Sequence, residues 1–299
     1  MKTRAIKTRA RILKLLIPVL PTGIAGLAKN LYEEWNFDLP KKGIGQEAID
    51  PSLYIKVEDN GSDTTLISLA GMAMLHVGMP KFEFRKTLQN LGGHYNFVWV
   101  RDIHRFNYAV APDGSPNSLA FFARIIGDAL SHLRSSHNIA IGSSGGGAAA
   151  IGLSGMLPIH RVIAFNPVFR EEDYGSSKNI RKTLFDWRKA LSKPSAYLEG
   201  FFIPLHSRYS WKRNCRLIGE EHIPDFLEHY LRKNQPAQAV IFYSTNSLSD
   251  TKQALMFKDI PTVTLKPIRS KRHTFMVELK QRGELGPLIH EEILIELAR

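Results

Sequence analysis

Residues 139–150 read Ile-Ala-Ile-Gly-Ser-Ser-Gly-Gly-Gly-Ala-Ala-Ala, an apolar run that passes without a spacer into glycines and alanines. The segment admits one simple local geometry. It predicts a buried strand over residues 138–141 that turns at once into a small-residue helix starting near Gly145, with no side chains to hold the two backbones apart. Strand followed directly by helix is the repeating unit of a parallel sheet, and the flanking sequence repeats it.

Strand-like runs lie at residues 54–57, 65–70, 95–100, 161–165, 237–243 and 262–267, and residues 82–91 and 119–133 have helical spacing. This alternation predicts an α/β fold, a mostly parallel sheet flanked by helices on both faces. The tripeptide Asp59-Asn60-Gly61 is a tight-turn signal, so the first two runs are expected to pair as an antiparallel hairpin. Between residues 169 and 235 the alternation breaks down. That stretch is basic, carries Trp187 and Trp211, looks helical over 180–191 and 223–233, and is read as an insertion over the carboxyl ends of the strands. The two tryptophans suit either binding of an acyl or sugar group or anchoring of the insertion. The expected organisation is a basic and apolar N-terminal segment over residues 1–50 and one domain over 51–299.

A glycine-rich strand-to-helix turn serves several chemistries, and residue types separate them. A phosphate-cradling loop needs Lys followed by Ser or Thr after its last glycine, where this chain has Ala148-Ala149-Ala150. A dinucleotide fingerprint needs G-x-G-x-x-G, which no register of 142–152 supplies, and an acidic residue after the next strand, which instead runs into Asn166-Pro167. No cofactor and no metal are therefore expected.

The remaining match is G-x-S-x-G, filled by Gly142-Ser143-Ser144-Gly145-Gly146. Ser144 has glycine at both −2 and +2, whereas Ser143 has Ile141 and Gly145. The five residues alone also suit a plain strand-helix junction, so the neighbourhood must decide. A serine nucleophile on such a sheet is followed along the chain by an acid and then a histidine, each after a later strand. Asp250 lies beyond the strand predicted at 237–243, on a loop, and His273 lies beyond the strand at 262–267. Asp259 falls at the wrong end of the sheet, and Asp225 and Glu228 read as a helix face. His76, His94 and His104 are the rival bases, because they lie near strand ends.

These residue types fit acyl chemistry. A hydroxyl is a poor nucleophile at neutral pH, so His273 would take the Ser144 proton while Asp250 fixes the imidazole tautomer. Lys271 and Arg272 would disfavour a charged imidazole at rest. The oxyanion hole would use the N–H of Gly145 and one from the loop after 65–70, with Met72 the first choice and Ala73 behind it. Arg101 and Asp102 either line the cleft or form an ion pair that pins their loop.

The net formal charge is +12, with six basic and no acidic side chains in residues 1–14 and further basic clusters at 208–216 and 266–272. Nucleic acid, anionic lipid and acidic glycans are conceivable partners on charge alone, but no nucleic-acid-binding motif is present. Residues 15–28 are apolar yet too short to span a bilayer and are interrupted by Pro18 and Pro21. They imitate a secretory signal, although two prolines suit its apolar region poorly. The reading adopted is a cytoplasmic protein whose N-terminal segment packs on the domain or rests on the anionic inner membrane surface. Cys215 is the single cysteine, which excludes an intramolecular disulfide.

Over about residues 52–295 the chain resembles the α/β-hydrolase superfamily. The stretches GMPKFEF at 78–84, FVWVRD at 97–102, IGSSGGGAAAIG at 141–152, VIAFNPV at 162–168 and LKQRGELGPLI at 279–289 resemble a set of bacterial α/β-hydrolase-like proteins associated with surface-polysaccharide genes. In that set a bulkier residue usually follows the nucleophile, where this chain has Gly145, and a Trp-Tyr pair stands where this chain has Phe106-Asn107-Tyr108. The resemblance implies a serine hydrolase, an esterase or deacylase using Ser144, Asp250 and His273, with an acylated glycan or lipid as substrate. Acyl transfer to a sugar hydroxyl and a non-catalytic role in surface-glycan assembly are the alternatives.

Overall fold

The computed structural model describes residues 50–71, 82–104, 107–116, 118–169, 219–220, 223–233 and 236–299. The strands are β1 (Ile55–Glu58), β2 (Thr64–Leu69), β3 (Asn96–Val100), β4 (His137–Ser143), β5 (Arg161–Phe165), β6 (Gln238–Ser244) and β7 (Val263–Ile268). The helices are α1 (Arg85–Gln89), α2 (Ser118–Leu133), α3 (Ser144–Ser154), α4 (Phe226–Leu231), α5 (Leu248–Leu255), α6 (Phe275–Gln281) and α7 (Leu285–Leu297).

The strands form one seven-stranded sheet in the order β1-β3-β2-β4-β5-β6-β7, parallel throughout except for β1. Side chains alternate between two cores. Ile67, Val98, Ala140, Val162 and Ile241 face α2, α3 and α4, while Leu66, Trp99, Ile141, Phe165 and Val240 face α1, α6 and α7. Helices on both faces explain why β2 to β5 read as nearly unbroken apolar runs.

The predicted hairpin does not form. β1 pairs antiparallel with β3, which lies between β1 and β2. Asp59-Asn60-Gly61 does turn the chain, with Gly61 at φ 70°, but the turn is fastened to β3. The Asn60 N–H donates to Asn96 Oδ1 at 2.8 Å, Asn60 Nδ2 to the Tyr95 carbonyl at 2.7 Å, and Ser62 Oγ to the His94 carbonyl at 2.6 Å. The start of β3 is thereby held where a hairpin partner would lie.

From β2 the chain crosses first to β3 on one side and then to β4 on the other. The loops leaving the carboxyl ends of β2 and β4 therefore part in opposite directions, which opens the crevice where α/β sheets bind ligands. Residues 1–49, most of the expected insertion with Trp187 and Trp211, and Cys215 lie outside the described residues. Among the described residues, no helix is long and apolar enough to cross a membrane.

Candidate active site

The turn between β4 and α3 brings backbones closer than any side chain would allow. A Cβ on Gly142 would lie 2.5 Å from the Gly146 carbonyl carbon, and one on Gly146 would lie 2.8 Å from the Ala70 carbonyl carbon, at the end of β2. Glycine at both positions lets strand, helix and neighbouring strand pass in contact. Between them Ser144 takes φ 50°, a conformation that costs a non-glycine residue stability and recurs at functional turns. The Ser144 carbonyl also accepts the Val168 N–H at 3.1 Å, which ties the loop after β5 to the turn.

The two serines of the turn point to different partners. Ser144 Oγ lies 3.0 Å from His273 Nε2, and His273 Nδ1 lies 2.7 Å from Asp250 Oδ1. Asp250 is 1% exposed. An ionised carboxylate only accepts, so Nδ1 carries the hydrogen, and in the neutral ring Nε2 is left to accept from the Ser144 hydroxyl. Ser143 Oγ instead donates to both carboxylate oxygens of Glu83 at 2.7 Å. Ser143 is the N-cap residue of α3, in an extended conformation, and its side chain makes no capping bond to the helix.

Asp250 stands in the first turn of α5 rather than on an extended loop, because Ser247 caps that helix and accepts the Asp250 N–H at 3.4 Å. His273 is placed by its backbone. Asn166, just past β5 at φ 40°, accepts the Ser244 N–H at 2.8 Å and donates Nδ2 to the His273 carbonyl at 2.5 Å, while Ser244 Oγ donates to the Arg272 carbonyl at 2.6 Å. Arg272 itself faces Glu278 at 3.7 Å.

Two of the rival acids, Asp225 and Glu228, sit at the start of α4, where Asp225 caps the helix, and Asp259 follows α5 and precedes β7. His104 bonds the Pro112 carbonyl at 3.0 Å, and His94 lies before β3, at the opposite end of the sheet. Asp102 pins its own loop by accepting the N–H groups of His104 at 2.9 Å and Tyr108 at 2.8 Å. Tyr108, whose phenol burial pushes well above its usual range, remains a neutral donor to the Ala70 carbonyl at 2.9 Å. The side chain of Asn107 fills the space a Cβ on Gly145 would need, with its own Cβ 3.0 Å from that point. Small Gly145 and Asn107 thus go together. Met72, Ala73 and His76 lie outside the described residues.

Glu83, like Asn166, is a residue of the site that the sequence does not single out. It is 4% exposed, and besides Ser143 its Oε2 accepts the Gly71 N–H at 2.7 Å. Burial pushes its carboxyl above the usual range, a shift partly opposed by the Gly71 and Ser143 donors, by the charge His273 carries when protonated and by the charge of Lys280. A charged residue between Phe82 and Phe84 was the available signal. Among the described residues, no group of three or more His, Cys, Asp or Glu side chains is arranged to hold a metal ion.

No protein-family model matches this chain, and no curated protein matches it in sequence. Solved structures do resemble it in fold. A protein of unknown function from Staphylococcus aureus subsp. aureus Mu50 superposes with a TM-score of 0.55 at 11% identity, covering 82% of this chain and 93% of that one. A carboxylesterase structure from the ammonia-oxidizing thaumarchaeon Nitrososphaera gargenis superposes with a TM-score of 0.51 at 12% identity over 83% and 98% of the two chains. MenH from S. aureus gives 0.50 at 14% identity over 82% and 99%. The fold is that of the α/β-hydrolases.

Proposed function

We propose that this α/β-hydrolase-fold chain is a serine hydrolase, an esterase or deacylase that forms an acyl-enzyme on Ser144. The position of His273 carries the reading: one ring nitrogen lies 2.7 Å from a carboxylate sealed from solvent, and the other 3.0 Å from a hydroxyl at the tip of a strained turn. A base held in one tautomer beside a nucleophile supplies rate factors of about 10²–10⁴.

In the first half-reaction His273 Nε2 takes the Ser144 proton as Oγ bonds to the ester carbonyl carbon. The carbonyl electron pair moves onto oxygen, where the Gly145 N–H and an amide from the segment after β2 stabilise it. Gly71 cannot serve there, since its N–H is committed to Glu83, so the next amide, Met72, is the candidate. As the carbonyl re-forms, the bond to the alcohol oxygen breaks and the leaving group takes the proton from His273. Water then gives a proton to His273 and adds to the acyl carbon; collapse returns the proton to Ser144 and releases the carboxylic acid. A hydroxyl acceptor in place of water gives acyl transfer by the same groups. The sequence resemblance suggests an acylated glycan or lipid as substrate.

Labelling the native protein with a fluorophosphonate, followed by peptide mass spectrometry, tests the reading. The expected adduct is on Ser144 and is absent in Ser144→Ala. A native protein that takes no label would instead favour a non-catalytic role.

A further inference from the structure

Next to the turn that carries Ser144 lies a second buried carboxylate that the proposed steps do not use. Glu83 joins two backbone segments that are far apart in sequence. Its oxygens accept the hydroxyl of Ser143, the residue before the nucleophile, and the N–H of Gly71, the first residue beyond β2. Its own carbonyl accepts Ser68 Oγ, from within β2, at 2.7 Å. The two segments already touch: a Cβ on Gly71 would lie 2.8 Å from the Ser143 carbonyl oxygen and 2.9 Å from its Oγ. Their separation sets how far the turn that carries Ser144 and Gly145 stands from the end of β2.

We propose that Glu83 is a positioning residue, a clasp that acts through Ser143 and Gly71 to set the spacing between the nucleophile turn and the end of β2. This rests on the reading of Ser144 as nucleophile. A structural role alone explains the residue poorly. Burying a carboxylate is costly unless it is well paired, and an apolar or amide side chain of similar size would fill the same space at less cost. The carboxylate turns both of its oxygens to the Ser143 hydroxyl, and one of the two also takes the Gly71 N–H. Glutamine keeps only one of these oxygens; with it on the Gly71 N–H, the NH₂ replaces the other acceptor, and the Ser143 hydrogen is left to share the oxygen that Gly71 already occupies. The titratable groups whose positive charge reaches Glu83 are Lys280 and, when protonated, His273.

The experiment compares wild type, Glu83→Gln, Ser143→Ala and the double variant of the full chain, reading p-nitrophenyl ester hydrolysis, the rate of fluorophosphonate labelling and thermal melting. Glu83→Gln is expected to lower kcat by about tenfold to 100-fold, as small misplacements in active sites do, with KM within about twofold and a melting temperature no lower than wild type at neutral pH. Ser143→Ala shifts kcat in the same direction, and the double variant loses no more than the worse single variant, because both open one clasp. Wild-type kcat and labelling in Glu83→Gln, or kcat losses that add in the double variant, would overturn the clasp while leaving the Ser144 reading intact. Wild type that neither hydrolyses esters nor takes label would overturn that reading and the clasp with it. Should Glu83→Gln fail to fold, Ser143→Ala carries the comparison: wild-type kcat in that variant overturns the clasp, and a lowered kcat at unchanged melting temperature supports it.

Discussion

Asn166 holds His273 by its backbone: the Asn166 amide donates to the His273 carbonyl at 2.5 Å across 107 positions of sequence. The same side chain accepts the Ser244 N–H, so β5, β6 and the loop after β7 meet at one buried amide.

Asn166→Asp isolates this anchor. Aspartate keeps the size, the acceptor for Ser244 and the tolerance of positive φ, but it sets a carboxylate oxygen against the His273 carbonyl where a donor stood. Ester hydrolysis should show kcat lowered by roughly tenfold or more with KM little changed. Asn166→Ala should add a loss of stability, of about 1–3 kcal/mol for buried polar groups left unpaired, measurable by urea unfolding. Wild-type kcat in Asn166→Asp would show that the loop places His273 without this bond.

Gly146 makes a separate prediction about the turn. A methyl there would meet the Leu69 and Ala70 carbonyls, which are backbone atoms in a buried strand end and cannot step aside cheaply. Gly146→Ala should cost about 1–3 kcal/mol. Gly92→Ala, where nothing lies within 4 Å of the added carbon, should stay within about 0.5 kcal/mol of wild type. Comparable melting curves for the two variants would contradict the close approach.

The raised carboxyl of Glu83 links stability to pH with a definite sign. Its folded value lies above the ordinary 4.5, so between the two values the folded protein holds the proton more tightly than the unfolded chain. Stability contributed by this group therefore falls as pH rises through that window, and the penalty is complete above the folded value. Glu83→Gln cannot ionise. Its stability relative to wild type should rise as pH climbs from the ordinary carboxyl value to the raised folded one and then level off, read from unfolding curves of both proteins across pH. A difference that stays flat, or that falls, would contradict a raised carboxyl.

Away from the crevice, Glu292 on α7 is 1% exposed and pairs with both Arg161 at the start of β5 and Lys266 on β7. Removing it leaves the Arg161 charge buried without its main partner. Glu292→Ala should cost about 3–5 kcal/mol in unfolding experiments. The kcat of the folded fraction should be unchanged, since Arg161 begins its strand at the end opposite the turn; a large kcat loss would mean the network reaches the site.

The turn at 142–146 was legible because bare glycines at fixed spacing have few other uses, and chain order then pointed to Asp250 and His273, which the structure places in hydrogen-bonding reach. Pairing of β1 was not legible. Asp59-Asn60-Gly61 signals a turn, but which strand receives it depends on Asn96, a long-range partner that local pattern does not reveal. The loop expected at Asp250 is a helix start because Ser247 caps it, and Ser-x-x-Asp before a helix is a local signal of such a cap. Glu83 and Asn166 escaped for a different reason. Their partners lie 60 and 107 positions away; a charge set between Phe82 and Phe84 marks Glu83 as unusual, but nothing local to it or to Asn166 names the partner.

An α-helix usually closes its first turn with a side chain from its own cap residue. Ser143 stands at that place on α3 and gives its hydroxyl to Glu83 instead. The helix therefore starts open on the side of Ser144, and under the proposed reaction the missing cap is completed only by the substrate, at the instant its carbonyl oxygen becomes an anion. A boronate that mimics that anion would then be the helix's cap, and its binding should slow amide hydrogen exchange in the first turn of α3 as well as block Ser144.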